Sequence, residues 1–298
     1  MPASTYRAVG LALAAGAVLA FSVRPILIKL AYGYVRDPVT LIALRMVFSL
    51  PFFVAAGLWA RSGSGAPVSR RDAWLIAGLG VLGYYAASFL DFVGLQYITA
   101  GLGRLLLFTY PTIVVVLSWL FLHKRAGARE VAALIVTYVG LGLVLSRSFG
   151  GQHENLALGA GLVFASAVAY AVYLVAGSSI IQRVGSARFT AYALSVASVC
   201  CIVQFLVLRP LSALALPVQV YVLAIVMAVG CTVLPTFMTA EALRRIGANQ
   251  VAIVGALGPV TTILLGYLGL DEVMTPVQIA GSLLVLAGVL MVSLRPGR

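Results

Sequence analysis

Four ionisable side chains interrupt long apolar stretches of this sequence: Arg24, Arg45, Asp91 and Arg104. Within lipid such a side chain costs roughly 3 kcal/mol or more, and it usually marks a substrate pathway or a buried pair. Asp91 and Arg104 flank one short connection, so we expect them to form a structural pair. Arg104 and Arg24 are also candidate receptors for a substrate carboxylate, because guanidinium binds carboxylate in a bidentate manner. For Arg24 the alternative is snorkelling to the interface, and Arg45 is assigned no role.

Aromatic residues concentrate in the same stretches. Tyr85, Tyr110 and Tyr170 lie well inside them, where an interfacial aromatic belt does not account for tyrosine. Either these are buried structural residues whose hydroxyls find partners, or they line a mostly apolar cavity suited to aromatic or aliphatic amphiphiles. The candidate cavity residues are Phe21, Tyr85, Phe89, Tyr110, Tyr170, Tyr173, Arg24 and Arg104.

The segments that carry these residues are too apolar for a water-soluble fold. Hydrophobic residues make up 62% of the 298 positions and charged residues 9%, against about 25% charged in soluble domains. Crossing about 30 Å of hydrocarbon takes about 20 helical residues, and ten stretches qualify. They are 8–30, 38–60, 73–92, 100–122, 129–148, 157–181, 188–208, 217–240, 248–269 and 275–294. The sequence therefore predicts an all-α integral membrane protein with ten transmembrane helices.

The basic residues predict the orientation of these helices. With the N-terminus in the cytoplasm, 13 of the 20 Lys and Arg fall on the inner side and four outside, as the positive-inside rule requires. Both termini are expected in the cytoplasm and the protein in the cell inner membrane. The basic residues that give the net charge of +12 form no continuous stripe, so no nucleic-acid partner is expected. The inner residues are Arg7, Arg61, Arg70, Arg71, Lys124, Arg125, Arg129, Arg183, Arg188, Arg244, Arg245, Arg295 and Arg298; the outer ones are Lys29, Arg36, Arg147 and Arg209.

The two halves of the chain resemble each other. A shift of 148 residues superimposes ten identical residues from about 90 to 146 without a gap, including Pro111 on Pro259. This divides the chain into repeats at 1–150 and 151–298, each with five predicted helices. Because five is odd, the second repeat is inverted in the membrane. Inverted repeats supply the two packings of alternating access, which favours a transporter with a small-molecule substrate held near the midplane.

Prolines mark the candidate bending or gating points. A proline removes one helical N–H and frees carbonyl groups in the preceding turn, which is tolerated at membrane depth when buried or lining a wet cavity. The alternative is a packing kink without ligand contact. The candidates are Pro25, Pro111, Pro235 and Pro259. Asp271 and Glu272 lie in a short turn and are expected to be solvated.

Neither catalysis nor self-association has a clear signature. His123 and His153 fall in predicted loops on opposite sides of the membrane, and the three cysteines lack metal-ligand spacing. An integral-membrane enzyme is therefore the less favoured alternative, and no metal or cofactor is expected. No phosphate-binding loop for a nucleotide is present, which excludes an ATP-driven transporter. Small residues spaced four apart are too isolated for a dimer motif, and we expect a monomer in the bilayer.

The chain resembles the drug/metabolite transporter superfamily, in particular its EamA-type members with two five-helix repeats. The resemblance is carried by LQYITAG (Leu95–Gly101) leading into Pro111, LRRIGAN (Leu243–Asn249) leading into Pro259, and AYAV (Ala169–Val172). The family typically has a Gly-Glu pair after the fourth helix of each repeat. Asp271–Glu272 resembles this pair in the second half, whereas the first half has His123–Lys124 at that place.

The layout is most similar to the YddG-type amino-acid exporters of that superfamily. This resemblance implies export of aromatic and other apolar amino acids, with Tyr85, Tyr110 and Tyr170 at cavity positions. Efflux of drugs or other lipophilic metabolites by proton antiport is the alternative.

Overall fold

A computed structural model describes residues 3–62, 68–122, 127–148 and 155–293, and the regular structure in these ranges is helical. Several residues considered above lie outside the described ranges: His123, Lys124, Arg125, His153, Arg295 and Arg298.

Among the described residues, the first half contains seven α-helices and the second half six. Those of the first half are α1 (Ala3–Tyr32), α2 (Pro38–Ser62), α3 (Arg70–Gly80), α4 (Ala87–Gly94), α5 (Ala100–Leu107), α6 (Tyr110–Leu122) and α7 (Ala128–Ser148). A π-helical segment, Val81–Ala86, joins α3 to α4.

The second half contains six. They are α8 (Leu156–Val184), α9 (Ser186–Leu208), α10 (Val218–Ile225), α11 (Leu234–Gly255), α12 (Leu257–Leu270) and α13 (Pro276–Ser293). A second π-helical segment, Val226–Val233, joins α10 to α11, and the backbone of α11 turns at Gly247, whose φ is 77°. A short 3-10 turn, Leu211–Leu214, precedes α10.

Nine helical spans in the described residues are long and apolar enough to cross a bilayer, and Pro276–Val292 forms a shorter apolar helix. The three tryptophans, Trp59, Trp74 and Trp119, are all exposed and lie close to helix ends. Tryptophan is enriched at such positions because its amphipathic ring sits at the membrane–water interface. The chain is thus a multi-pass membrane protein, as its composition predicts.

Helices α7 and α13, the last of each half, pack against each other at glycine residues. A Cβ atom added to Gly140 of α7 would lie 2.6 Å from the carbonyl oxygen of Gly281 in α13. One added to Gly288 would lie 2.7 Å from the carbonyl oxygen of Ala133. Small residues let helix backbones approach this closely in membranes, so these glycines join the two halves.

Pro111 and Pro259 follow breaks in their helices rather than bends within them. Helix α5 ends at Leu107 and α6 begins at Tyr110, whereas α11 ends at Gly255 and α12 begins at Leu257. Each proline occupies the first turn of the new helix, where a missing N–H leaves no hydrogen bond unmade. The Thr109 hydroxyl donates to the carbonyl oxygen of Leu106 at 2.7 Å, which satisfies one group freed by the first break.

The other two candidate prolines behave differently from each other. Pro25 lies inside α1, which continues to Tyr32. Pro235 is the second residue of α11 and lies directly after the second π-helical segment. The wider turns of that segment accommodate the backbone N–H that proline lacks. The Thr232 hydroxyl donates to the carbonyl oxygen of Met227 at 2.8 Å across this segment. The first π-helical segment contains no proline and was not predicted.

Candidate functional site

Four helices of the first half bring together the ionisable residues of the apolar stretches. Arg24 comes from α1, Arg45 from α2, Asp91 from α4 and Arg104 from α5. We call these four residues the arginine cluster. The charges of all three arginines act on the Asp91 carboxylate, and the charge of Arg24 acts on both other arginines.

Asp91 pairs with Arg24 and not with Arg104, so the predicted Asp91–Arg104 pair is wrong. Nη2 of Arg24 lies 3.4 Å from Oδ2 of Asp91, and the Asp91 side chain is only 6% exposed. The Arg104 guanidinium is directed instead towards the start of α12. A Cβ atom on Gly258 would lie 3.4 Å from its Nη2 atom. The helix break before α12 leaves space for the Arg104 guanidinium. Sequence spacing alone did not reveal that Gly258 is its neighbour.

Arg45 belongs to the cluster although the sequence assigned it no role. It is 1% exposed, and its guanidinium carbon lies 4.9 Å from the centre of the Phe92 ring. A cation over an aromatic face gains about 1–2 kcal/mol when desolvated, well below the cost of burying an unpaired charge. Its Nε and Nη2 atoms have no hydrogen-bond partner, and neither do the Nε atoms of Arg24 and Arg104.

Next to the arginine cluster lies a group of four tyrosines, the tyrosine cluster: Tyr84, Tyr110, Tyr170 and Tyr173. The rings of Tyr110 and Tyr170 are 5.2 Å apart, and those of Tyr84 and Tyr173 are 4.9 Å apart, both edge to face. Tyr170 also stacks on Tyr173 at 5.8 Å, which joins the two pairs. Edge-to-face and offset stacks are the favoured aromatic geometries, so the rings form one continuous apolar surface.

The two clusters interact electrostatically. The charge of Arg104 acts on Tyr110 and Tyr170, and that of Arg24 acts on Tyr170. Arg104, Tyr110 and Tyr170 each keep part of their surface exposed. The arrangement therefore combines guanidinium donors with aromatic faces at partly accessible positions.

Three predicted cavity residues are not part of the tyrosine cluster. Tyr85 and Phe89 are partly buried and pack against the main apolar core, and Phe89 also packs against Val39, Ala43 and Phe205. Phe21 makes no ring contact with the tyrosines in the described part of the chain. Tyr84, which precedes Tyr85 in the first π-helical segment, joins the tyrosine cluster.

Hydrogen bonds tie the first helix to the break before α12. The Ser22 hydroxyl donates to the carbonyl oxygen of Gly258 at 3.0 Å, and the Thr262 hydroxyl donates to that of Ser22 at 3.1 Å. Ser22 is fully buried. These bonds hold backbone of the second half against the arginine cluster, and no feature of the sequence indicated them.

At the predicted outer side, Glu272 joins the halves. Its carboxylate accepts hydrogen bonds from the backbone N–H groups of Ala100 and Gly101 at 2.8 and 3.2 Å, at the N-terminus of α5. A carboxylate is favoured there because the first N–H groups of a helix lack partners inside it. The expectation that Glu272 is solvated is therefore wrong, whereas Asp271 is exposed.

A second contact on this side joins Asp37 to Arg209. Nε of Arg209 lies 2.9 Å from Oδ2 of Asp37. Partial burial alone would raise the pKa of Asp37, but the hydrogen bonds from Arg209 and Thr40 outweigh it and lower the pKa below its ordinary value. The pair links the connection after α1 to the end of α9.

A helical membrane protein with polar groups gathered at broken helices has the form of a transporter. The sequence model of the EamA-like transporter family matches residues 8–146 and again residues 157–294. The chain therefore belongs to the EamA-like transporter family.

Similar proteins carry transporter names. The uncharacterized transporter YcbK of Bacillus subtilis (strain 168) is 28% identical over 270 residues, which covers 88% of this chain and 85% of that protein. The uncharacterized transporter sll1319 of Synechocystis sp. is 26% identical over 219 residues, which covers 74% of this chain and 66% of that protein. A solved crystal structure matches with a TM-score of 0.63 at 21% identity, covering 97% of this chain and 96% of that one, and it supports the fold alone.

Proposed function

We propose that this transporter exports small metabolites that combine a carboxylate with an apolar body, with aromatic and other apolar amino acids as the representative class. The observation that carries the proposal is that the charges of Arg104 and Arg24 act on the packed rings of Tyr110 and Tyr170. Arg104 and Arg24 would bind the carboxylate, since guanidinium donors match it geometrically. The faces of Tyr110 and Tyr170 would cover the apolar body.

We further propose that ten helices form two inverted five-helix repeats, residues 1–150 and 151–298, with both termini in the cytoplasm and the protein acting as a monomer in the inner membrane. Two pairs of matched irregularities support the repeats. The helix breaks before Pro111 and Pro259 coincide under a shift of 148 residues, and the two π-helical segments overlap under the same shift. The asymmetry of basic residues supports the orientation.

Alternating access would use these irregular segments as its moving parts. Broken helices next to a midplane site are characteristic of secondary transporters, because exposed backbone is tolerated where it lines the site. Pro111, Pro235 and Pro259 would allow bending at the breaks and the second π-helical segment. Asp91, the one carboxylate in the arginine cluster, already pairs with Arg24, which favours facilitated exchange over proton antiport.

The test is counterflow in proteoliposomes. Vesicles loaded with unlabelled phenylalanine, threonine or ethidium are placed in a solution of the same compound in labelled form. Entry of the label is followed with and without a proton gradient. We expect exchange of amino acids that does not need the gradient and that falls at least tenfold in Tyr110→Ala. Tyr267→Ala is the matched control, because Tyr267 is 58% exposed on α12 and lies outside the tyrosine cluster.

Three results would contradict the proposal. Movement of ethidium alone would indicate a drug pump, and exchange only under a proton gradient would indicate antiport. Equal loss in Tyr110→Ala and Tyr267→Ala would remove the tyrosine cluster from the substrate path.

A further inference from the structure

The arginine cluster carries more positive charge than the protein neutralises. Only Arg24 lies within ion-pair distance of Asp91. The charges of Arg45 and Arg104 act on the same carboxylate, which leaves a formal excess of two positive charges within the described residues. Four buried guanidinium nitrogens of these arginines have no hydrogen-bond partner. Buried unpaired donors and charges are costly, so a site that keeps them has a use for an anion that supplies both the charge and the acceptors.

No other acid in the described residues is available to balance this excess. Asp37, Asp72 and Glu241 form ion pairs with arginines elsewhere. Glu272 accepts hydrogen bonds from the N-terminus of α5, and Glu130 accepts one from the backbone N–H group of Gly127. Asp271 is exposed at the end of α12.

The same charge balance disfavours a substrate ammonium group. A zwitterion would bring one carboxylate to the arginines and one ammonium group into their field. The acid nearest to it, Asp91, is nearly buried and engaged by Arg24. Like charges held close together inside a protein repel more strongly than in water, so the ammonium group would weaken binding.

We propose that the arginine cluster selects substrates of net negative charge, so that amphiphilic carboxylates without an ammonium group bind best. This inference rests on the proposed function, because it narrows the substrate class of the same site. Among the carboxylate-bearing amphiphiles of the proposed function, the preferred substrate is then an aromatic or aliphatic organic anion, with its carboxylate at Arg104 and Arg24 and its apolar body on the tyrosine cluster.

Three probes with one phenyl body separate the possibilities. Phenylalanine has both charged groups, 3-phenylpropanoate lacks the ammonium group, and phenethylamine lacks the carboxylate. Isothermal titration of the purified full-length protein in detergent, in chloride-free buffer at neutral pH, gives the dissociation constants. We expect 3-phenylpropanoate to bind at least tenfold more tightly than phenylalanine, and phenethylamine not to bind.

The outcomes distinguish the inference from the proposed function. If phenylalanine binds as tightly as 3-phenylpropanoate or more so, the inference is overturned while the proposed function stands. If phenethylamine binds best, or if none of the three probes saturates, both are overturned.

A variant isolates the contribution of the guanidinium charge. In Arg104→Gln we expect the affinity for 3-phenylpropanoate to fall at least tenfold and its advantage over phenylalanine to shrink. Arg209→Gln is the matched control, since Arg209 is exposed and pairs with Asp37 outside the arginine cluster. A purely structural role of Arg104 would change thermal stability without changing the ratio of the two affinities, and that result would refute the inference.

Discussion

Glu272 provides a sharp test of the contact between the two halves. Its carboxylate accepts hydrogen bonds from the backbone N–H groups of Ala100 and Gly101, at the start of a helix that belongs to the other half. In Glu272→Gln the side chain keeps its size but loses its charge, and one of its two acceptor atoms becomes a donor.

The expected cost follows from these two hydrogen bonds. A hydrogen bond to a charged group contributes roughly 1.5–3 kcal/mol, whereas a neutral one contributes roughly 1 kcal/mol. The favourable interaction of the charge with the helix N-terminus adds about 0.5 kcal/mol. Losing one bond costs roughly 1.5–3 kcal/mol and weakening the other roughly 0.5–2 kcal/mol, so the total with the helix term is roughly 2.5–5.5 kcal/mol. At about 2 °C per kcal/mol, the lower end of the range for domains of about 150–250 residues, the unfolding midpoint should fall by roughly 5–11 °C.

The assay is thermal unfolding of purified protein in detergent, followed by intrinsic fluorescence. Asp271→Asn is the matched control, because it makes the same change of charge at the neighbouring, exposed residue. Asp271 has a positive φ of 53°, which asparagine tolerates. Equal midpoints for Glu272→Gln and Asp271→Asn would refute the proposed role of Glu272.

Two further predictions concern packing and pH. Gly140→Val should lower the yield of folded protein and the unfolding midpoint, because a Cβ atom there would lie 2.6 Å from a backbone oxygen of α13. Gly142→Val is the control and should lower neither, since the space around Gly142 is open. Similar behaviour of the two variants on size-exclusion chromatography would contradict the close packing. Since Asp37 has a lowered pKa in the folded protein, its pair with Arg209 stabilises the protein fully above its ordinary pKa, and this stability is lost as the pH falls through the lowered value. The difference in unfolding midpoint between wild type and Arg209→Gln should therefore shrink from pH 7 to pH 3, and a constant difference would refute this.

The sequence predicted the membrane class and most helix bounds because both follow from long apolar runs. The ten stretches coincide with nine helical spans and one shorter helix of the described residues. Pro111 and Pro259 each follow a helix break in the described residues, in keeping with the fixed backbone effect of proline. These features depend on composition and local chemistry alone.

The site could be predicted only in part, because it depends on tertiary contacts. The sequence placed Arg24 and Arg104 in apolar stretches but did not reveal their neighbours, since helix rotation decides that Asp91 meets Arg24. The ring contacts of Tyr84 could not be predicted, because a π-helical segment without proline leaves no mark in the sequence. The cap formed by Glu272 joins residues 172 positions apart, beyond the range of any local pattern.

Alternating access at the tyrosine cluster is the central claim, and thiol labelling tests it most directly. With Cys200, Cys201 and Cys231 replaced by alanine, a single cysteine is introduced as Tyr110→Cys and exposed to a membrane-impermeant thiol reagent in whole cells and in inside-out vesicles. A second variant, Tyr34→Cys, reports the side proposed to be the outer one, and Tyr34 is 56% exposed just after α1. The account predicts labelling of Tyr110→Cys from both sides and labelling of Tyr34→Cys from outside only. Labelling of Tyr110→Cys from one side alone under every condition would contradict it.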